Sequence, residues 1–322
     1  MERGVYSAAV KLSSAGASTA AAVLAFAASF VAADAKPGAF GVGVLRRDGI
    51  IVPFAAFDGK RWADNWPLPN VDLEVPIALR DVPSKWWGPT GALAEWESWA
   101  TQEPQRLRVV QPDWVDVHCT RQIGLRTDYK PDELPPPRTV QPYPKDGLVV
   151  SPPQTIERIA ILSPDSPEVR TAMPAIRAAF NQAERLMENR YGHPVARRAR
   201  EGRDPEVEAI DAVGKHPRIY HIEASRRYRL LGQTVDDCEA IAFGTGWFAA
   251  DGTQVNSLFM VVDLLNCDKR GATYMLPLGA MRVRGTLYWL AQYSSWDNER
   301  YVVVEIKEKS VKAVVSAWGG SC

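Results

Sequence analysis

Seven of the 11 tryptophans in this chain fall between Trp62 and Trp114, interleaved with Asp64, Asp72, Glu74, Asp81, Glu95, Glu97, Asp113 and Asp116. Indole rings beside carboxylates suit a glycan: the flat ring stacks on the C–H face of a sugar while the acid accepts hydroxyl hydrogen bonds. Trp86 and Trp87, between Pro83 and Pro89, are the surface candidates of the group, because adjacent side chains on extended backbone point opposite ways. The competing use of these rings is as core, since each buried Trp removes roughly 150–250 Å² from water in a region without long apolar strands. Glu95 and Glu97 could act as acid and base only if folding set two carboxylates about 5–10 Å apart across a cleft.

The second candidate is the loop Ser294-Ser295-Trp296-Asp297-Asn298-Glu299-Arg300. Trp296, Asp297 and Arg300 place a ring, an acid and a guanidinium on one connection between apolar strands, and loops on rigid scaffolds are where binding residues concentrate. The alternative is a polar hairpin in which Arg300 pairs with Asp297. A third charged stretch, Arg197, Arg198, Arg200 and Arg203, reads as a solvated loop with a short helix started by Asp204 and Pro205. Its neighbours Glu201, Glu206, Glu208 and Asp211 argue against an anion site.

The motifs that carry phosphate, nucleophile, zincin or EF-hand chemistry are absent. His118, His193, His216 and His221 share no ligand spacing, and there is no C-x-x-C, so neither a metal nor a cofactor is expected. Phe243-Gly244-Thr245-Gly246-Trp247 lies in a strand pattern and reads as a bulge or a close backbone approach. With 38 basic and 38 acidic residues the chain has no net charge. Nucleic acid and anionic lipid select for excess Lys and Arg, so neither is the expected partner.

Compartment narrows the chemistry further. Arg3 and Lys11 precede an uncharged stretch from Leu12 to Ala33, followed by Ala33-Asp34-Ala35 and the helix-breaking Lys36-Pro37-Gly38. That is the order of a secretory signal peptide over residues 1–35, cleaved near Ala35. Its Ala-rich core is short for a stable transmembrane anchor. The exported product, periplasmic or extracellular, carries an even number of cysteines. Cys238 and Cys267 flank a hairpin turning at Ala250-Asp251-Gly252 and are expected to pair, which leaves Cys119 for Cys322.

The elements that must position these residues are mainly strands. Asp48-Gly49 and Asp58-Gly59 punctuate apolar runs between Phe40 and Trp62 as hairpin turns, with Pro53 at an edge or bulge. A helix is expected over Gly91–Ala100, and strands over Leu107–Val110, Trp114–Cys119 and Thr155–Leu162. One long helix follows, capped by Ser166 and ending at Gly192, with Ile176, Ala179, Phe180, Ala183, Leu186 and Met187 on one face. From Arg218 to Trp318, short strands recur at roughly ten-residue spacing.

The fold class is therefore mainly β with one prominent amphipathic helix, in antiparallel sheets of sandwich or barrel type, with an irregular β-propeller as the alternative. The organisation expected is a Trp-rich β region over 36–134, a Pro-rich linker or surface crossing over 135–153, and a helix-containing β domain over 154–322. Two functions fit: a non-enzymatic binding or envelope-associated protein with a glycan or envelope component as partner, or a secreted hydrolase acting on glycans. Mature native protein is expected to begin near Lys36 with all four cysteines inert to alkylation until reduced. N-terminal sequencing and mass spectrometry check this, and an intact Met1 with reactive thiols would remove the export reading.

Overall fold

The computed structural model of the protein describes residues 38–64, 95–100, 103–130, 145–228, 238 and 240–322. Trp86, Trp87 and the proposed signal segment lie outside the described residues.

The first strands follow the turn signals. β1 (Phe40–Leu45) and β2 (Ile50–Phe57) pair antiparallel around Gly49, whose φ of 78° only glycine adopts without strain. Asp58 then accepts from the Lys60 and Arg61 backbone N–H groups, both at 2.8 Å, and turns the chain into β3 (Trp62–Asp64). Pro53 lies where the β1–β2 register shifts, a bulge that needs no N–H from it.

The expected helix over Gly91–Ala100 is corrected in its described part. Glu95–Ser98 is a strand, β4, with Trp96 and Ser98 buried and Glu95 and Glu97 on the opposite face. This two-residue period outweighs the three-residue spacing of Trp96 and Trp99, and β4 is paired on both sides. The two strands expected between Leu107 and Cys119 are one, β5 (Gln105–Val117), bulged between Val109 and Gln111 and returning as β6 (Thr120–Thr127). Within the stretch read as linker, Gly147–Ser151 forms β7, a strand between β1 and β4. The order β1-β7-β4-β5-β6-β2, joined back to β1, closes a six-stranded barrel. Leu45, Ile51, Trp96, Leu107, Ile123 and Val149 supply one residue from each strand to its interior.

The remaining chain forms two sheets and a helix. Of the strand expected over Thr155–Leu162, only β8 (Ala160–Ile161) and a bridge from Glu157 to Ala280 are formed, with Ile161 80% exposed. α1 (Pro167–Tyr191) runs unbroken through Pro174, with Ser166 Oγ accepting from Val169 N–H and Gly192 at the stop. α2 (Arg197–Arg200) precedes β9 (Glu206–Val213), so the short helix lies before Asp204, not after it. β10 (Arg218–Tyr228), β11 (Ala240–Asp251) and β12 (Gln254–Leu265) complete a sheet ordered β12-β11-β10-β9-β8. β13 (Tyr274–Val283), β14 (Thr286–Ser294), β15 (Asn298–Lys307) and β16 (Ser310–Ser321) form a four-stranded meander.

These parts stack in layers. α1 lays Ile176, Ala179, Phe180 and Ala183 on the outer face of the five-stranded sheet. Gly244 admits the Phe180 ring, since a Cβ there would lie 2.9 Å from it, so the glycines serve a close approach; the register shift opposite Trp247–Phe248 puts the extra residue, Leu258, on β12 and not on the glycine-bearing strand. The inner face of that sheet meets Leu287, Trp289, Val302, Val304 and Ile306 of the meander. The meander's other face, with Tyr288, Leu290, Tyr301 and Val303, packs on Val42, Phe54, Leu148 and Val150 of the barrel. The chain segments before and after 135–153 therefore share one core.

Two fastenings, Cys119–Cys322 and Lys145–Glu299, tie the barrel to the meander, and a third, Cys238–Cys267, lies within the five-stranded sheet. The Cys119 and Cys322 sulfurs are at disulfide distance, with Cα atoms 4.8 Å apart, and Cys238 pairs with Cys267 across the β11–β12 hairpin ends at 6.0 Å, as expected. Lys145 Nζ lies 2.9 Å from Glu299 Oε2, both side chains almost fully buried, and Tyr301 donates its hydroxyl to Glu299 Oε1. Burial pushes the Lys145 ammonium below its ordinary pKa, and Glu299 opposes that shift. Glu299→Gln leaves a buried cation uncompensated and is expected to destabilise by about 3–5 kcal/mol. Denaturant unfolding measures this, and Lys145→Met in the same background is expected to recover part of the loss.

Candidate functional site

A cleft opens where the two stacked sheets part, at the end that carries four hairpin turns. Residues from the β9–β10, β11–β12, β13–β14 and β15–β16 connections surround a space of about 750 Å³. Ile219, Ala249 and Leu258 wall it from one sheet, Leu287 and Ile306 from the other. These side chains continue the inter-sheet core outward, so the cleft is core surface left uncovered by the divergence of the strands. Polar groups gather at its rim: Asp251, Gln254, Asn256, Lys307, Glu308 and Lys309. Arg282 at the edge is held by Glu157 at 2.9 Å and Lys307 by Glu305 at 2.8 Å. Lys309 has no ion-pair partner among the described residues.

Deeper on the same face of β10 the row turns polar. His221 donates or accepts at Thr245 Oγ1 through Nε2 (2.8 Å), and its Nδ1 is 3.9 Å from Asp211 Oδ2. Its ring meets Trp247 edge-on at 4.9 Å, and Trp247 meets Trp289 in the same way at 5.0 Å. Burial holds the imidazole below its ordinary pKa, against the pull of Asp211. Glu223 Oε1 accepts from the Met275 N–H of the facing sheet at 2.6 Å. Burial, with Asp211 and Glu208 nearby, lifts this carboxyl to about 8, and burial beside Glu208 and Glu223 lifts the Tyr274 phenol to about 12.

A second polar group sits under α1. Glu184 occupies the buried stripe, one turn from Phe180, and meets Arg226 Nη1 at 2.9 Å, the Tyr228 hydroxyl, and His193 Nε2 at 3.4 Å. Arg200, 1% exposed, reaches Glu188 at 2.7 Å. The reading of the arginine stretch as solvated is corrected at this residue, because α2 turns Arg200 onto the acidic side of α1. An acid within an apolar helical stripe and alternating His221-x-Glu223 in a strand buried on both faces were the sequence signals for these groups.

Among the residues singled out from sequence, the described ones, Trp296, Asp297 and Arg300, point to different partners. Trp86 and Trp87 are outside the described residues. Trp296 is exposed with the Arg270 guanidinium 5.0 Å over its ring. Asp297 accepts from Asn298 Nδ2 at 2.9 Å, and its carbonyl from Cys322 N–H at 2.9 Å. Arg300 turns away from Asp297, donating to Ser316 Oγ and lying 5.8 Å over Trp318. Of the clustered tryptophans, Trp96 is barrel core, Trp62 and Trp114 pack against core, and Trp99 borders a 280 Å³ pocket with Lys145, Asp146 and Arg158. There Arg158 stacks 5.6 Å over the Trp99 ring, and Asp146 Oδ2 is buried without a hydrogen-bond partner.

Comparison with family models, curated proteins and solved structures gives no match. The site rests on its own chemistry. Between pH 4.5 and about 8 the folded chain keeps the Glu223 proton that the unfolded chain releases, so stability falls as pH rises through that window. Glu223→Gln, which keeps the acceptor for Met275, is expected to flatten that fall by roughly 3 kcal/mol between pH 5 and 8. Unfolding free energies across that range check it; parallel curves for the two proteins would mean the carboxyl ionises freely in the fold.

Proposed function

We propose that this chain is an exported, non-enzymatic binding protein that holds a small ligand in the cleft between the sheet ends. The observation that carries the reading is the cleft itself: about 750 Å³ lies within the usual ligand-pocket range of roughly 300–1,000 Å³. Both sheets contribute apolar walls and the hairpin turns contribute the polar rim, the division of labour of a ligand site in which apolar area gives affinity and a few polar groups give orientation. The matching ligand has an apolar body for Ile219, Leu258, Leu287 and Ile306 and an acidic group for Lys309. The scaffold beneath is rigid, since every wall residue stands on a paired strand.

Glycan recognition is supported separately by the pocket beside Trp99, where that ring and the Arg158 guanidinium meet Asp146, itself 3.4 Å from Arg47. Asp146 is the one carboxylate lining that pocket among the described residues, and glycoside hydrolysis by the two-carboxylate route needs a facing pair, so binding is the reading we adopt for it.

Anilinonaphthalene sulfonate, an apolar aromatic anion, tests the main reading. The wild type is expected to bind one equivalent in the cleft, with Leu258→Arg and Lys309→Ala each weakening it about tenfold, or about 1.4 kcal/mol. Unchanged titrations in both variants would place any bound probe elsewhere and end the cleft assignment.

A further inference from the structure

β12 contradicts its own composition. From Leu258 to Leu265 seven of eight side chains are apolar, yet only Val262 is fully buried, and Phe259 and Val261 are 49% and 38% exposed. The strand terminates the five-stranded sheet, so one row of its backbone N–H and C=O groups has no ladder partner among the described residues. Soluble proteins guard such edges by keeping them short or by placing Lys, Pro or inward-facing charge on them. β12 is 12 residues long, contains no Lys, Arg or Pro, and carries Asp263 as its single charge. Its bulge, opposite the Trp247–Phe248 step, leaves the pairing of Phe259 to Leu265 regular.

The surroundings of the edge continue the pattern. α1 packs beside β12, and the shallow groove between them is bordered by Leu186, Arg190, Tyr191, Val261 and Asp263. Leu186 and Tyr191 are exposed, and neither Arg190 nor Asp263 has an ion-pair partner among the described residues. One surface therefore offers unpaired strand hydrogen bonds, apolar side chains on both sheet faces, and one base and one acid.

We propose that this surface binds a second copy of the chain, β12 pairing antiparallel with β12 about a two-fold axis so that the two five-stranded sheets become one. Charge selects this occupant. With the axis near Val261, Asp263 stands across from the second copy's Phe259, so no like charges meet on the strand. The lone Arg190 and lone Asp263 of each copy then find their complements in the other, the self-complementarity an isologous contact requires. A foreign strand would have to supply both charges by coincidence.

Sedimentation velocity of the mature protein up to about 100 µM, with hydrogen exchange of residues 254–265 at low and high concentration, tests the proposal. The expected result is a concentration-dependent dimer in which the β12 amides exchange more slowly at high concentration, and in which Val261→Lys and Phe259→Lys each weaken dimerisation at least tenfold. Both positions are solvent-exposed in the monomer, so unchanged circular dichroism verifies the fold, and the wild-type exchange experiment stands without either variant. A monomer throughout, or a dimer that survives both lysines with β12 exchange independent of concentration, overturns it.

Discussion

The two central strands of the four-stranded meander, β14 and β15, are covered on both faces. β14 and β15 send Trp289, Val302, Val304 and Ile306 into the five-stranded sheet and Tyr288, Leu290, Tyr301 and Val303 into the barrel. Their sequences read accordingly as near-continuous apolar runs, the composition usual for strands covered on both sides. Every other layer takes its position from this one. The barrel cannot bury Val42, Phe54 and Leu148 without it, and the five-stranded sheet, already covered outside by α1, would otherwise expose Val213, Ile219 and Trp247.

A doubly covered sheet raises the cost of each polar group placed on it, and the structure concentrates those groups at few points. On the barrel side, Glu299 is met by Lys145 and Tyr301. On the other side, Glu223 is met by a backbone N–H and, with no cation in contact, retains its proton. The two carboxylates show the two ways out of burial: pairing with a buried cation, or neutralisation. Buried ion pairs contribute little net stability compared with apolar packing but penalise wrong arrangements strongly. Lys145, two residues before β7, and Glu299, at the start of β15, thus link the barrel to the meander through a contact that only one setting of the two layers satisfies.

Sequence made the hairpins and the long helix legible because their signals are local. Asp48-Gly49, Asp58-Gly59 and Asp251-Gly252 each sit at a turn, Ser166 and Gly192 bound α1, and cysteines at the two ends of one hairpin meet as its register demands. What failed depended on partners far along the chain. Glu95–Ser98 is a strand because β5 and β7 lie on either side of it, a fact no four-residue window contains. β7 follows a proline-rich stretch whose composition describes the approach to the strand and not the strand itself. Arg200 looks solvated until α2 folds back on α1. The site was the least legible part: its walls are ordinary core residues, and only the divergence of two sheets makes them a cleft. The tryptophan cluster drew attention through its chemistry, yet Trp96 serves as barrel core, and Trp62 and Trp114 lean on core as well.

Layering covers faces and leaves ends and edges. In this stack the ends of the two central sheets open as the cleft, where turns rather than strands face solvent and polar residues can converge without interrupting a ladder. The edges are treated unequally. β16 is engaged by the barrel, where Thr120 and Gln122 of β6 donate to the Ser321 and Gly319 carbonyls, and β8 is too short to template anything. β13 carries Pro277 and Arg282 and is bridged by Glu157 at Ala280, so among the described edge strands β12 is the long apolar one without Lys, Arg or Pro. Since α1 already covers its outer face through Val262 and its hydrophobic neighbours Met260 and Leu264, no further element of the described chain is positioned to cap the edge itself. The same geometry that leaves the cleft for a small ligand therefore leaves β12 for another strand, and the two surfaces meet at Ser257 and Leu258, where the strand enters the cleft wall.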